Sequence, residues 1–166
     1  RVWETTPRAW LTRLRGPANS VSAVRFSPDG KLVAAASADG TLRAWTTDEH
    51  SPVWSMECEG TLLSLGFSPD GRTVVAGTED GRLLKCSPGE TAVQLLARGP
   101  VYATWVSYSP DGNLLAVCGA DALVHLLDPT SGKELRTLTG HSSRAVEGVF
   151  WPDSSRLARS EEHTSE

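Results

Sequence analysis

One tetrapeptide constrains this chain more than anything else in it. Ser-Pro-Asp-Gly occurs at residues 27–30, 68–71 and 109–112, and a degenerate fourth copy follows as Trp151-Pro152-Asp153-Ser154. Their first positions are spaced by 41, 41 and 42 residues. Two further series keep that beat. Asp39, Asp80 and Asp121 stand 41 apart, and Trp3, Trp45, Cys86 and Leu127 follow at steps of 42, 41 and 41. Three markers in one register define an internal repeat, and a period in the low forties is that of a four-stranded propeller blade.

The content of each unit agrees. Residues 21–27, 62–68 and 103–109 put Val24 and Phe26, Leu65 and Phe67, and Val106 and Tyr108 on one face, the period-two signature of a strand. Pro-Asp-Gly then turns the chain: proline presets φ, aspartate bonds nearby backbone, and glycine accepts positive φ. A second strand is expected at 32–37, 73–78 and 114–119. Hairpin turns follow at Ala38-Asp39-Gly40, Glu79-Asp80-Gly81 and Ala120-Asp121-Ala122. Third strands fall at 41–46, 82–87 and 123–127, and fourth strands near 53–58, 93–97 and 134–138. No helical period occurs anywhere. The expected fold is therefore all-β: a fragment of a β-propeller with four-stranded antiparallel blades. Complete units span 16–58, 59–97 and 98–138, between the end of a preceding blade (1–15) and the start of a further one (139–158).

The units resemble WD-repeat propeller blades over nearly all of residues 1–158. In that family a Gly-His pair precedes the first strand and a Trp-Asp pair closes the third. The His, a Ser or Thr of the second strand, the turn Asp and the Trp share a hydrogen-bond network. The resemblance assigns Ser37, Asp39 and Trp45 to that network in the first full unit, with Gly16-Pro17 where Gly-His belongs. It assigns Thr78 and Asp80 in the second unit, with Cys86 in place of Trp. In the third it assigns Asp121, with Gly119 at the hydroxyl position and Leu127-Asp128 at the closing pair. Gly140-His141 is intact, and Trp3-Glu4 closes the preceding blade. No network is complete in the visible chain. Where it is partly kept, Trp45 is expected to be buried with its indole N–H bonded near Ser37. The style of the repeats resembles bacterial WD-repeat arrays.

Composition narrows the function. The formal net charge is −4, with 22% charged residues and 39% hydrophobic ones, which leaves no basic stripe for nucleic acid. No run is long and apolar enough for a membrane helix. The three cysteines sit in strand-like apolar runs without Cys-x-x-Cys spacing, so buried inert thiols are expected and no metal site. No cofactor is expected. Compartment stays open, with the cytoplasm favoured. Residues 159–166 read RSEEHTSE, which breaks the apolar alternation and corresponds codon for codon to a common sequencing adapter. They are expected to be non-native, so that the biological sequence stops near Ala158 and is cut at both ends.

No catalytic constellation emerges: Gly-x-Ser-x-Gly, His-Glu-x-x-His, the P-loop and Gly-x-Gly-x-x-Gly are all absent. The turn aspartates are expected to serve structure, and His50, His125 and His141 to act as loop donors or blade-network members. Among six tryptophans, Trp10 and Trp54 are expected on outer strands. Trp105 replaces the small Ala23 and Ser64 in a strand that lines the central channel in the resembling family, so it either packs between blades or faces a partner. The leading expectation is a non-catalytic scaffold for a protein or peptide partner. Its candidate contacts are Asn19, Glu79, Arg98 and Arg144, on the loops joining fourth to first strands and on the Asp turns, and Trp105 in the channel strand. A sensor propeller joined to an upstream enzyme module such as a kinase is the alternative, and a propeller hydrolase the third reading.

Overall fold

The computed structural model describes residues 2–4, 9–12, 16–87, 89–90, 92–99, 102–140 and 145–161. Among them the chain forms strands and turns with no helix, hence no helix long and apolar enough to cross a membrane. Strands β1 (Val2–Glu4) and β2 (Ala9–Thr12) pair as a hairpin. The first four-stranded sheet comprises β3 (Val21–Phe26), β4 (Leu32–Ser37), β5 (Thr41–Thr46) and β6 (Pro52–Glu57). The second holds β7 (Leu62–Phe67), β8 (Val74–Thr78), β9 (Arg82–Cys86) and β10 (Gln94–Arg98). The third holds β11 (Trp105–Tyr108), β12 (Leu115–Cys118), β13 (Val124–Leu127) and β14 (Glu134–Leu138). A last hairpin joins β15 (Ala145–Phe150) to β16 (Leu157–Glu161). Every sheet is an antiparallel meander in chain order, the arrangement of a partial β-propeller.

The core lies between sheets, because alternate residues of a strand face opposite neighbours. Ala34, Ala36, Leu42, Ala44 and Met56 of the first sheet close on Leu62, Leu65, Val74, Ala76 and Leu84 of the second. Val75 and Leu83 leave the other side of the second sheet to meet Ala103, Val106, Leu115, Val117 and Leu127. Trp105, Ala116, Cys118 and Val124 of the third then pack on Phe150 and Leu157 of the last hairpin. The alanines of β4 keep the first interface thin enough for Leu62 and Leu65 to be fully buried. Each such leucine contributes about 1.5–3 kcal/mol by burial. A buried bond crosses one junction: the Ser64 hydroxyl donates to the Ala103 carbonyl at 2.6 Å.

Ser-Pro-Asp-Gly folds the same way three times. In the first copy the Ser27 hydroxyl donates to Asp29 Oδ1 (2.6 Å) and accepts the Leu32 amide (2.9 Å), while Asp29 Oδ1 accepts the Lys31 amide (3.1 Å). Ser68 with Asp70, and Ser109 with Asp111, repeat each bond. The three serines are buried, and the glycines hold φ of +71°, +71° and +75°. The fourth copy keeps the backbone without the serine. The Ser154 amide donates to the Trp151 carbonyl (2.9 Å) with Ser154 itself at φ +62°.

Several expected strand ends shift by a residue, and two differences bear on residues singled out above. Arg98 is the last residue of β10, opposite Arg82, rather than a loop residue. Strand β16 does not stop at Ala158: Arg159, Ser160 and Glu161 pair with Gly148, Glu147 and Ala145. The rest of 159–166, together with His141 and Arg144, lies outside the described residues.

Candidate interaction face

The rim opposite the Ser-Pro-Asp-Gly turns is built from the Asp turns and the loops entering each new sheet. Backbone bonds join the two sets. The Cys58 amide donates to the Gly40 carbonyl (2.7 Å), Gly99 to Gly81 (2.8 Å) and Tyr102 to Glu79 (2.9 Å). The turns share a frame, yet each aspartate is satisfied differently.

In the first blade Asp39 is held by neutral donors. Its Oδ1 accepts the Thr41 amide (2.9 Å) and hydroxyl (2.5 Å), and its Oδ2 accepts the Ala18 amide (2.6 Å). These donors, the Thr41 hydroxyl foremost, hold the carboxyl well below the usual range. In the second blade a fixed cation enters. The Thr78 hydroxyl donates to Asp80 Oδ1 (2.6 Å), Arg82 Nε donates to Asp80 Oδ2 (2.9 Å), and Arg82 Nη2 donates to the Glu59 carbonyl (2.6 Å). The Thr78 hydroxyl leads in lowering the Asp80 pKa, with Arg82 adding a hydrogen bond and its charge.

In the third blade the hydroxyl position is Gly119 and the partner is an imidazole. His125 Nε2 lies 2.7 Å from Asp121 Oδ2, and its Nδ1 lies 3.0 Å from Glu134 Oε2. The Thr137 hydroxyl donates to the other oxygen of Glu134. Burial alone would lower the His125 pKa, but hydrogen bonds and charge from Asp121 and Glu134 outweigh it and raise the pKa.

The structure brings some expected partners together and separates others. Ser37 and Asp39 meet, the Asp39 amide donating to the Ser37 hydroxyl at 3.3 Å. Thr78 and Asp80 meet as above. Trp45 does not join Ser37. Antiparallel pairing sets Trp45 opposite Val33, at the far end of β4, while Ser37 pairs with Val21 and donates its hydroxyl to the Ser20 carbonyl (3.1 Å). Trp45 is buried on Val33 and Ala35 instead. Of the two readings of Trp105, packing between blades is the one observed: it is 4% exposed and seated over Gly148, where a Cβ would come within 3.0 Å of the ring. Its size fills the space left by that glycine. Asn19, Glu79 and Arg98 are exposed, and Asn19 Oδ1 accepts the Ser20 amide (2.8 Å). Trp54 lies on β6, half-buried against the first interface.

The first strands of the sheets line a groove of about 560 Å³ with Arg25, Phe26, Phe67, Tyr108, Glu147 and Phe150. It brings together one cation and one carboxylate on an apolar floor, where burial pushes the Tyr108 hydroxyl up to about 12. Cys58, Cys86 and Cys118 are free and buried. Among the described residues no group of three His, Cys, Asp or Glu side chains is arranged to hold a metal.

The sequence model of the WD domain, G-beta repeat, matches residues 9–46, 46–84 and 96–128, well over half of the chain. The chain belongs to the WD-repeat family. A curated relative, the Periodic tryptophan protein 2 homolog of Dictyostelium discoideum, is 24% identical over 173 residues, covering 95% of this chain and 18% of that protein. The chain thus spans less than a fifth of that relative's length. The WD repeats are out of step with the sheets by one strand: the match at 46–84 holds β6, the outer strand of one blade, and β7 to β9 of the next. Each repeat is thereby shared between two blades, which ties neighbours covalently.

Sequence reasoning missed Arg82 as a partner of Asp80 and Glu134 as a partner of His125, and it named His125 only as a loop donor or network member without its partner Asp121. The signal for Arg82 was its place two residues after Asp80, on the strand leaving the turn. Glu134 carried none, because it reaches His125 from the next strand.

Proposed function

We propose that the chain is a non-catalytic scaffold whose Asp-turn face docks a protein or peptide partner. WD-repeat proteins in general are interaction propellers. The observation that carries the finer reading is the contrast between the rims. The Ser-Pro-Asp-Gly rim repeats one hydrogen-bond set, whereas the other rim presents a different exposed chemistry from blade to blade on a repeated backbone frame. Asn19, Glu59, Glu79 and Arg98 stand exposed there. Unlike side chains on a repeated framework make a surface that one partner reads, and binding residues concentrate on loops held by such frameworks. Asn19, Glu79 and Arg98 are the contacts we assign. The net charge of −4 favours a protein over a nucleic acid.

Two charge-altered variants separate the faces. Glu79→Arg with Arg98→Glu changes the Asp-turn face, and Lys31→Glu with Arg72→Glu changes the opposite rim. Quantitative crosslinking in source cells should recover the same partner with wild type and the second variant and lose it with the first. Loss confined to the second variant, or equal loss in both, overturns the assignment.

A further inference from the structure

Among the described residues His125 is held in a way that no other side chain on this rim is. Both ring nitrogens face carboxylate oxygens, Asp121 at 2.7 Å and Glu134 at 3.0 Å. A carboxylate only accepts, so both contacts are hydrogen bonds only when both nitrogens carry protons. A neutral imidazole leaves one lone pair pointed at an anion. The two carboxylates belong to different elements: Asp121 to the turn between β12 and β13, and Glu134 to the outer strand β14. The ring side chain is 15% exposed, so water does not readily replace either partner.

The surrounding charges do not supply a substitute. Val117 stands opposite His125 on β12, and Thr137 stands opposite it on β14. Arg136 lies beside it, opposite Leu126. Lys133 precedes β14, Arg98 ends β10, and Arg159 of β16 donates to the Ala122 carbonyl (2.8 Å) next to Asp121. Among the described residues none of these cations forms an ion pair with Asp121 or Glu134, and His125 does with both.

We propose that the third blade carries a proton-operated latch, in which doubly protonated His125 clamps the Asp121 turn to β14 and loss of one proton releases one of the two. The latch stands on this geometry whether or not a partner docks on the rim. Its direction follows from the ring's affinity for the second proton. Burial opposes it, and the two carboxylates outweigh burial, so the folded pKa lies above the ordinary 6.5. The stabilisation is then complete below the unfolded value and is lost as pH rises through the folded one. Glu134 sets the acid edge. The Thr137 hydroxyl, and after it His125, hold its carboxyl below the ordinary range, so its share is lost as pH falls through that lowered value. Between those edges the turn and the outer strand are tied. In the second blade Arg82, a cation that does not titrate, ties the Asp80 turn to Glu59 of the loop entering that blade instead.

Histidine-selective isotope labelling of the intact protein, with His125 assigned by loss of its signal in His125→Gln, reads the ring directly. Its titration midpoint should lie above 6.5. Amide exchange, corrected for the intrinsic rate, should show protection of Val124–Leu127 and Glu134–Leu138 falling several-fold from about pH 6 to about pH 8.5. In His125→Arg, which carries a permanent cation, that fall should vanish. A His125 midpoint at or below 6.5 overturns the latch, as does protection in wild type that is flat with pH. An equal fall in wild type and His125→Arg overturns it too.

Discussion

On one rim Ser27, Ser68 and Ser109 each donate to the aspartate two residues on and accept the amide five residues on, with matching distances. On the opposite rim Asp39, Asp80 and Asp121 hold the same place in the repeat but are satisfied by a hydroxyl and amides, by a guanidinium and by an imidazole. The difference lies in the reach of the bonds. The bonds that each serine makes stay within five residues, so the tetrapeptide specifies that set by itself. Longer bonds to these turns, from the Thr47 hydroxyl to the Gly30 carbonyl and from the Asp111 amide to the Ser154 hydroxyl, differ from copy to copy. The Asp turns also bond to loops and strands up to 23 residues away, as Arg82 does with Glu59. There each blade is free to find its own solution.

The largest expected effect tests how tightly the two rims are packed. Gly40 has φ +79°, and a Cβ there would fall 2.6 Å from the Cys58 carbonyl oxygen; Gly30 has φ +71° in open space. Gly40→Ala should cost about 3 kcal/mol, combining backbone strain with overpacking. Gly30→Ala should cost about 1 kcal/mol, from strain alone. Chemical denaturation giving equal losses would erase the contrast.

Next in size come the turn serines. Ser68→Ala strips the Thr73 amide and Asp70 of a buried partner and should cost about 1–3 kcal/mol. Ser27→Ala and Ser109→Ala should fall close to it in the same measurement, since their bonds are the same. A wide spread among the three would show that the rim is not uniform.

Arg82→Gln should cost about 1–2 kcal/mol through its charge-assisted bonds to Asp80. Denaturation midpoints at about pH 6 and about pH 8.5 should show the same loss, because the guanidinium stays charged over that range. A loss that depends on pH would make the second blade behave like the third.

The smallest effect has the opposite sign. Ala122 holds φ +62° where the other blades place Gly40 and Gly81. Ala122→Gly should raise stability by up to about 1 kcal/mol, because glycine takes that conformation without the Cβ penalty. Thermal unfolding that shows no gain would mean the third turn has relaxed around its alanine.

Much of the architecture was legible because its determinants are local and repeated. Period two gave the strands, and the Pro-Asp-Gly chemistry gave the turns. The second strand of the first blade, Leu32–Ser37, is observed with the bounds read from sequence. Boundaries slipped where pairing rather than composition decides: β10 gains Arg98 by lying against Arg82, and β16 extends through Arg159 and Ser160 because β15 offers them partners. The network was legible only in part. Ser37 and Asp39 are two residues apart and meet through the turn itself, whereas Trp45 is carried to the other end of β4 by the antiparallel register.

The sequence by itself determined the repeat, the strand count of each blade and the Ser-Pro-Asp-Gly turns, since those depend on backbone preferences within a few residues. Only the tertiary structure decided that Trp105 is buried, because that follows from Gly148 lying on the next hairpin. It alone decided that Asp80 meets Arg82 and that His125 stands between Asp121 and Glu134. Hydrogen bonds and ion pairs of this kind act over a few ångströms, and the chain's own spacing does not say which strands will bring their ends that close.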